Sequence, residues 1–418
     1  MSQIKENFRD SQHVLHIVNS FDQQDFIELN EFQRLDLKKV MCRSEHANET
    51  HNYHDYKIVN CQPSAPSNCF TQSVIFDFSM PCNFDILQYP MLALTLNNLD
   101  ATNSITPCST PFFFQNINIK YQGVVIQTIY PQDLYLRLRL LHTEEELYNL
   151  INVCNLNGDQ SIAASGSKVF YLPLKCFLDE EFYAKWSQIP LIFQFETRDI
   201  KASGSGTNQI SLSLLQMVFK HRHLHSHDLQ QYATHYSNFD VMQNTICSLP
   251  IVNNLTLAAN TEVKINLDQL RGKRVAALLV YVTSTNSNSA NGNTTYVALD
   301  DGQMNATSGI IELLHSDGSK LLYNISLPSR FCREFQAIEK GVPNVKYLRD
   351  TANYLLCFSE NIHASINGIV NGYLYVTELM NLSITPHSTF TSGTYYVTVV
   401  PYFHGRFFYA DGNIDVQN

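Results

Sequence analysis

From residue 56 onward, apolar and polar side chains alternate over short stretches with a period of two. Val74, Phe76 and Phe78 alternate with Ile75, Asp77 and Ser79; Leu92, Leu94 and Leu96 with Ala93, Thr95 and Asn97; Ile117, Ile119 and Tyr121 with Asn116, Asn118 and Lys120. The cleanest case lies in the stretch 168–201, where Leu191, Phe193 and Phe195 point one way and Gln194, Glu196 and Arg198 the other. A strand with one buried and one wet face reads this way. Within that stretch Asp179 is placed to cap one helical turn carrying Glu180 and Glu181, ahead of Trp186, the single tryptophan. Gly123 marks a turn into a strand over 124–129, and Pro81, Pro90, Pro107, Pro111 and Asn97-Asn98 give the connectors turn chemistry. A long strand from Gln209 to about Lys220 switches its buried phase near Leu214-Leu215, which predicts a bulge or a bend.

Two regions break this rhythm. Over 131–153, Leu134, Leu138 and Leu141 fall at helical spacing, and Thr143-Glu144-Glu145-Glu146 is a capping-box pattern opening a second helix. Within 1–50 the spacing over His13–Val40 is loosely helical and acids outnumber bases, so this segment reads as a packed helix or as an arm docking on a neighbour. Strands resume in the second half at Val263–Leu267, Ala277–Thr283, Thr294–Leu299, Ile310–Leu314, Leu321–Leu327, Tyr354–Phe358, Tyr373–Leu379 and Tyr395–Val400, with a Ser/Asn-rich loop at 283–293. The pattern lapses around 221–249. The division that follows is an arm at 1–50, a first unit at 51–228, a linker at 229–248 and a second unit at 249–418. Each unit offers about eight strands, the number a jelly roll needs. A faint echo, FYLPLKCFLDEEF at 170–182 against YNISLPSRFCREF at 323–335, is too weak to be a repeat by itself.

Composition narrows the function. The chain has 418 residues, room for two cores, with 16% charged residues against 25 Phe and 22 Tyr. That balance suits half-buried strands. A net charge of −10 argues against neutralising phosphates, so no sequence-specific nucleic-acid binding is expected. The N-terminus lacks a secretory pattern, and the longest apolar run, Val275–Val282, is far short of a membrane span. Ten cysteines at 42, 61, 69, 82, 108, 154, 176, 247, 332 and 357 show no CxxC and no zinc or disulfide spacing. They read as reduced thiols, Cys176 within an apolar strand-like run, and the six N-x-[ST] sequons then carry little meaning.

Chemistry is sparse. The SGSG loop at Ser203–Gly206 precedes a strand, so it lacks the helix N-terminus of a phosphate cradle. No GxxxxGK[ST], GxSxG or HExxH occurs, and Glu144–Glu146 reads as a solvated helix start. His221, His223, His225 and His227 would share one face if the strand continued, and imidazoles on one face can ligate zinc or nickel. The plainer reading is a polar strand end running into the connector, and a pH-sensitive subunit contact stands between the two. No residue is assigned as catalytic, cofactor-binding or metal-ligating, and no cofactor is expected.

The stretches 112–141 and 170–196 and the doubled set of strands together resemble the double jelly-roll major capsid proteins, the lineage of adenovirus hexon, tailless icosahedral phages, virophages, polinton-like viruses and large eukaryotic DNA viruses. FFFQNINIKYQGVVIQTIYPQDLYLRLRLL at 112–141 is similar to the family's strand, glycine turn and Tyr-containing helical segment. FYLPLKCFLDEEFYAKWSQIPLIFQFE at 170–196 is similar to its late strand pair, and the strand set is duplicated. The resemblance implies an all-β chain of two tandem eight-stranded jelly-roll sandwiches with a few short helices. It implies a viral structural protein, not an enzyme. Three copies would form a pseudo-hexagonal capsomer tiling an icosahedral shell, with 131–153 and the N-terminal arm as candidate contacts between subunits. Neighbouring capsomers, penton and minor capsid proteins and an internal membrane would be the partners, and the location a virion assembled from chains made in the host cytoplasm. Two other readings compete. One is a glycan- or receptor-binding sandwich, an attachment or minor capsid protein, using aromatics in YFHGRFFY at 402–409; the other is a sandwich hydrolase.

Overall fold

The computed structural model describes residues 54–60, 73–80, 84–177, 182–183, 189–198, 210–224, 226–238, 241–284, 296–300, 309–321, 326–366, 369–410 and 413–417. The expected arm at 1–50, the capped turn at 179–181, the SGSG loop and nearly all of the Ser/Asn-rich loop lie outside them. The first half contains β1 (His54–Asn60), β2 (Ile75–Ser79), β3 (Ile86–Asn98), β4 (Phe114–Tyr121), β5 (Val124–Ile129), β6 (Ser167–Pro173), the two-residue β7 (Phe182–Tyr183), β8 (Ile192–Thr197) and β9 (Ile210–Arg222). Helices α1 (Pro131–Leu140) and α2 (Glu144–Cys154) separate β5 from β6. The second half contains β10 (Val241–Ser248), β11 (Ile251–Leu257), β12 (Val263–Asn266), β13 (Arg274–Thr283), β14 (Ile310–His315), β15 (Ser326–Pro328), β16 (Tyr354–Cys357), β17 (Leu374–Tyr375), β18 (Met380–Thr385), β19 (Gly393–Ala410) and β20 (Asn413–Gln417).

The strands form four antiparallel sheets, ordered β1-β9-β3-β6 and β2-β8-β4-β5 in the first half, β10-β19-β13-β16 and β12-β18-β14-β15 in the second. Setting aside two-residue β7 and β17 and the terminal β20, and taking β10 and β11 together because both pair with β19, each half has eight strands in one arrangement. The first, eighth, third and sixth share one sheet; the second, seventh, fourth and fifth share the other. That is the jelly roll, found twice.

Period-two alternation places each core as expected. Phe76, Phe78, Leu92, Leu94, Leu96, Ile117, Ile119, Phe193 and Phe195 are buried together between the first pair of sheets. Ile265, Val280, Val282, Leu313, Leu382 and Val399 fill the second. The Leu214 phase switch is a bulge: Thr95 opposes Leu214 while Leu96 opposes Leu212, leaving Ser213 as the extra residue. Gly123 takes φ +81 between β4 and β5, a left-handed turn that a residue with a Cβ resists. Thr143 accepts from the Glu146 amide while the Glu146 carboxylate accepts from the Thr143 amide, the reciprocal capping box the sequence predicted.

Several expectations change. Arg198 lies beyond the end of β8 and is buried, its amide donating to the Phe113 carbonyl and its guanidinium 5.5 Å from the Phe112 ring centre. The alternation therefore stops at Thr197. Pro90 sits inside β3, at a bulge where Tyr89 takes φ +49 and the register shifts between Gln88 and Met91; lacking an N–H, proline fits there and not in a regular ladder. Residues 229–248 carry regular structure, helix α3 (Ser226–Asn238) and then β10, which pairs along its whole length with β19. Of the two echoing stretches, 170–173 lie on β6 and 326–328 on β15, strands that are not equivalent in the two sandwiches.

Shortening a core side chain should show how tightly the first sandwich is filled. Phe195→Ala is expected to lower stability by about 3–5 kcal/mol, read as a fall in the urea midpoint with unchanged slope.

Candidate functional site

No reactive cleft dominates the described residues; the feature that organises them is the seam between the sandwiches. Helix α1 lies in that seam and has nine of its ten residues buried. Its leucines divide by helical spacing. Leu134 and Leu138, four apart, belong to the first core, while Leu136 and Leu140 join Leu279, Tyr281, Leu355 and Tyr402 in a third cluster on the outside of the second sandwich. Covering on both faces explains why β13 reads as an unbroken apolar run. In the other direction, Phe407 of β19 stacks on Phe177 at 4.4 Å and joins the first core.

The seam also buries charge. Arg137 Nε donates to Asp133 Oδ1 at 2.8 Å, one helical turn away, and its Nη2 donates to the Ile246 carbonyl at 3.1 Å in the second half. Its guanidinium stands 5.6 Å from the Tyr402 ring centre. Burial, and then the Asp133 charge, push the Tyr402 hydroxyl well above its ordinary pKa, so it stays protonated. Arg139 donates to the Leu156 carbonyl at 3.2 Å and to Asn157 Oδ1, while its own carbonyl accepts from Asn344 Nδ2 at 3.0 Å. One helix thus hydrogen-bonds to both halves. Since α1 is consumed within the chain, the exposed part of the predicted contact region is α2, where Tyr148 is 71% exposed.

The four histidines do not share a strand face. Strand β9 ends at Arg222 and α3 starts at Ser226, so His227 is on a helix; its side chain, and all of His225, lie outside the described residues. His221 and His223 remain together with ring centres 4.0 Å apart, and Asp85, which precedes β3, joins them. Sequence spacing could not reveal Asp85, which lies 136 residues away and arrives through the β3–β9 pairing.

The other candidate chemistries find little support. In YFHGRFFY, Tyr402, Phe403, His404 and Phe407 are buried in β19, so the closing-strand reading holds for them and they offer sugars no stacking surface. Cys108, Cys154, Cys176, Cys247, Cys332 and Cys357 are buried. Burial raises the thiols of Cys108, Cys154, Cys332 and Cys357 to about 12, far from a nucleophile's range. The Glu144–Glu146 cluster is exposed at the start of α2, as expected.

What the surface does present is an apolar sheet face. On the outer side of β1-β9-β3-β6, Val169, Thr95 and Leu214 lie in one row, Tyr171, Ala93 and Gln216 in the next, and Ile58, Val218 and Met91 beyond. Ile58, Val169, Tyr171 and Leu214 are 58, 43, 38 and 41% exposed. An antiparallel sheet facing water normally carries polar residues there, so this face suits contact with protein.

No protein-family model matches the chain, and no curated protein sequence matches it. Its fold is similar to that of the PBCV-1 virus capsid chain (TM-score 0.65, 11% identity, covering 88% of this chain and 98% of that one). It is similar to the Faustovirus major capsid protein (TM-score 0.60, 9% identity, covering 92% and 99%) and to a chain of the Sputnik virophage (TM-score 0.51, 10% identity, covering 87% and 88%). With the sheet orders above, these likenesses fix the fold as a double jelly roll.

Two measurements probe this region. Arg137→Ala leaves Asp133 buried without its cation and is expected to cost about 3–5 kcal/mol, whereas Arg137→Met combined with Asp133→Leu should recover most of that loss in a urea titration. His404 is pushed down to about 4, by burial first and then by Arg274 and Arg406. Its native form therefore binds fewer protons than the unfolded chain between about pH 6.5 and 4. Stability should fall as pH drops through that window, and His404→Asn should flatten this part of the profile of urea midpoint against pH.

Proposed function

We propose that this chain is a viral major capsid protein whose work is structural: three copies form a pseudo-hexagonal capsomer, and capsomers tile an icosahedral shell. The observation that carries the reading is the pair of jelly rolls, a fold similar over 88 to 92% of the chain to that of the PBCV-1 capsid chain and the Faustovirus major capsid protein. Two sandwiches held side by side give one subunit two similar edges, so three subunits approximate a hexagon. A closed threefold ring needs a heterologous contact between different patches. The apolar outer face of β1-β9-β3-β6 supplies one such patch, and the exposed side of α2, which packs beside edge strand β6, supplies another. Within this reading 51–228 and 249–418 are the bulk of the two jelly rolls, 229–248 leads from one to the other and adds β10 to the second, and 1–50 is an arm onto a neighbouring subunit. Neighbouring capsomers, penton and minor capsid proteins and an underlying membrane are the partners, and the chain carries no catalysis.

Light scattering on the purified full chain tests this directly. A stable species of about 143 kDa, three chains of 47.7 kDa, with a hexagonal outline in negative stain is the expected result. A monomer at all concentrations would overturn it. Placing charge on the outer sheet face, Tyr171→Glu with Leu214→Glu, is expected to release monomers while leaving the far-ultraviolet circular dichroism unchanged.

A further inference from the structure

We propose that Asp85, His221 and His223 form a binding site for one divalent transition-metal ion, zinc in the first instance. Each offers one ligand atom, and these atoms all lie within 4.8 Å of one another. Ligands held about 2.0–2.1 Å from one zinc ion stand roughly 3–4 Å apart, so closing the set around an ion asks for only small side-chain shifts.

The fold builds this convergence. His221 opposes Leu87 in the β3–β9 ladder, and Arg222 opposes Ile86. Continuing that register by one residue brings His223 opposite Asp85. Positions 221 and 223 share a side because strand side chains repeat every two residues. The carboxylate therefore meets two imidazoles from across one strand pair.

The groups are held in place before any ion arrives. The His221 ring is 3% exposed and lies 5.1 Å from Phe84, centre to centre. Its Nε2 accepts from the Asp85 amide at 3.1 Å, so that nitrogen carries a lone pair and no proton, the form a metal requires. Binding through Nε2 would redirect that lone pair from the amide to the ion. Asp85 is 9% exposed, and its Oδ2 accepts from the Leu224 amide at 3.1 Å, a contact that orients the carboxylate as outer-shell hydrogen bonds orient metal ligands.

Two imidazoles and one carboxylate suit a borderline ion such as zinc and suit calcium or magnesium poorly, since those prefer oxygen. Water would complete the coordination. The site lies where β9 gives way to α3, so an occupied site would pin the exit of the first sandwich to the lead-in of β3. It would thereby fix the direction in which the chain leaves for the second half. None of this depends on the capsid reading.

The test is titration of the chelator-treated full chain with Zn²⁺, followed by calorimetry and thermal melting, with Mg²⁺ as control. One zinc per chain is expected, with an upward shift of the melting temperature that Mg²⁺ does not reproduce. His223→Ala is preferred to a change at the more buried His221, and Asp85→Asn retains an oxygen for the Leu224 amide. Each variant should weaken zinc binding about tenfold or more and abolish most of the thermal shift. Absence of saturable zinc binding, or equal binding by both variants and the parent chain, would overturn the proposal.

Discussion

The arrangement depends on the ion pair between Asp133 and Arg137. A helix buried on every side can be apolar throughout, yet α1 places a carboxylate and a guanidinium in the seam, only 2.8 Å apart. Such a pair adds little stability over a well-packed apolar substitute, but it is demanding in geometry, because each partner is costly without the other. Arg137 also reaches the Ile246 carbonyl at 3.1 Å, so its Nη2 hydrogen bond is made only when β10 of the second half is in place. Leucines alone would let the two sandwiches slide or rotate against each other. A directed hydrogen bond between them selects one relative position.

The jelly-roll order acts with this constraint. In each half the first strands pair with the last: β1 with β9, and β10 and β11 with β19. Neither sandwich can close until its final long strand is placed, which is the non-local pairing associated with slow folding. Strand β19 has 18 residues and does more than close the second sandwich. Its Phe407 enters the first core against Phe177, so the last long strand also locks the first half. The halves are therefore not two independent beads on a string.

Much of this could be read from the chain. Where one face is buried and one is wet, as in β2, β4 and β8, period two gave the strands and their inward residues. Turn and cap chemistry is equally local, which is why Gly123 and the Thr143–Glu146 box were legible. Signals failed where burial becomes two-sided or context comes from afar. Strands β10 and β11 lack a simple alternation in sequence, and the histidine-rich stretch before them suggested a connector. Arg198 looked wet by parity, but parity ends with the strand, and an aromatic ring from Phe112 shelters the guanidinium. Asp85 was invisible as a neighbour of His221 because only a folded ladder brings positions 136 residues apart to one point.

Identity of 9 to 11% with chains that share the fold at TM-scores of 0.60 to 0.65 has a physical explanation in the same terms. Cores tolerate wholesale apolar exchange when volume and pattern persist. Most positions in these sandwiches are asked only to be apolar or polar, which leaves little for residue-by-residue comparison to detect. The positions asked for more are the few whose polar atoms must meet across the seam, such as Asp133, Arg137, Arg139 and Asn344. Under the proposed reading as a capsomer subunit the requirement is correspondingly geometric: two sandwiches at a fixed mutual orientation, with outward faces that match a neighbour. A subunit of that kind is defined by the angle between its halves. In this chain that angle is set by one buried helix, and the helix by a pair of charges that must remain together.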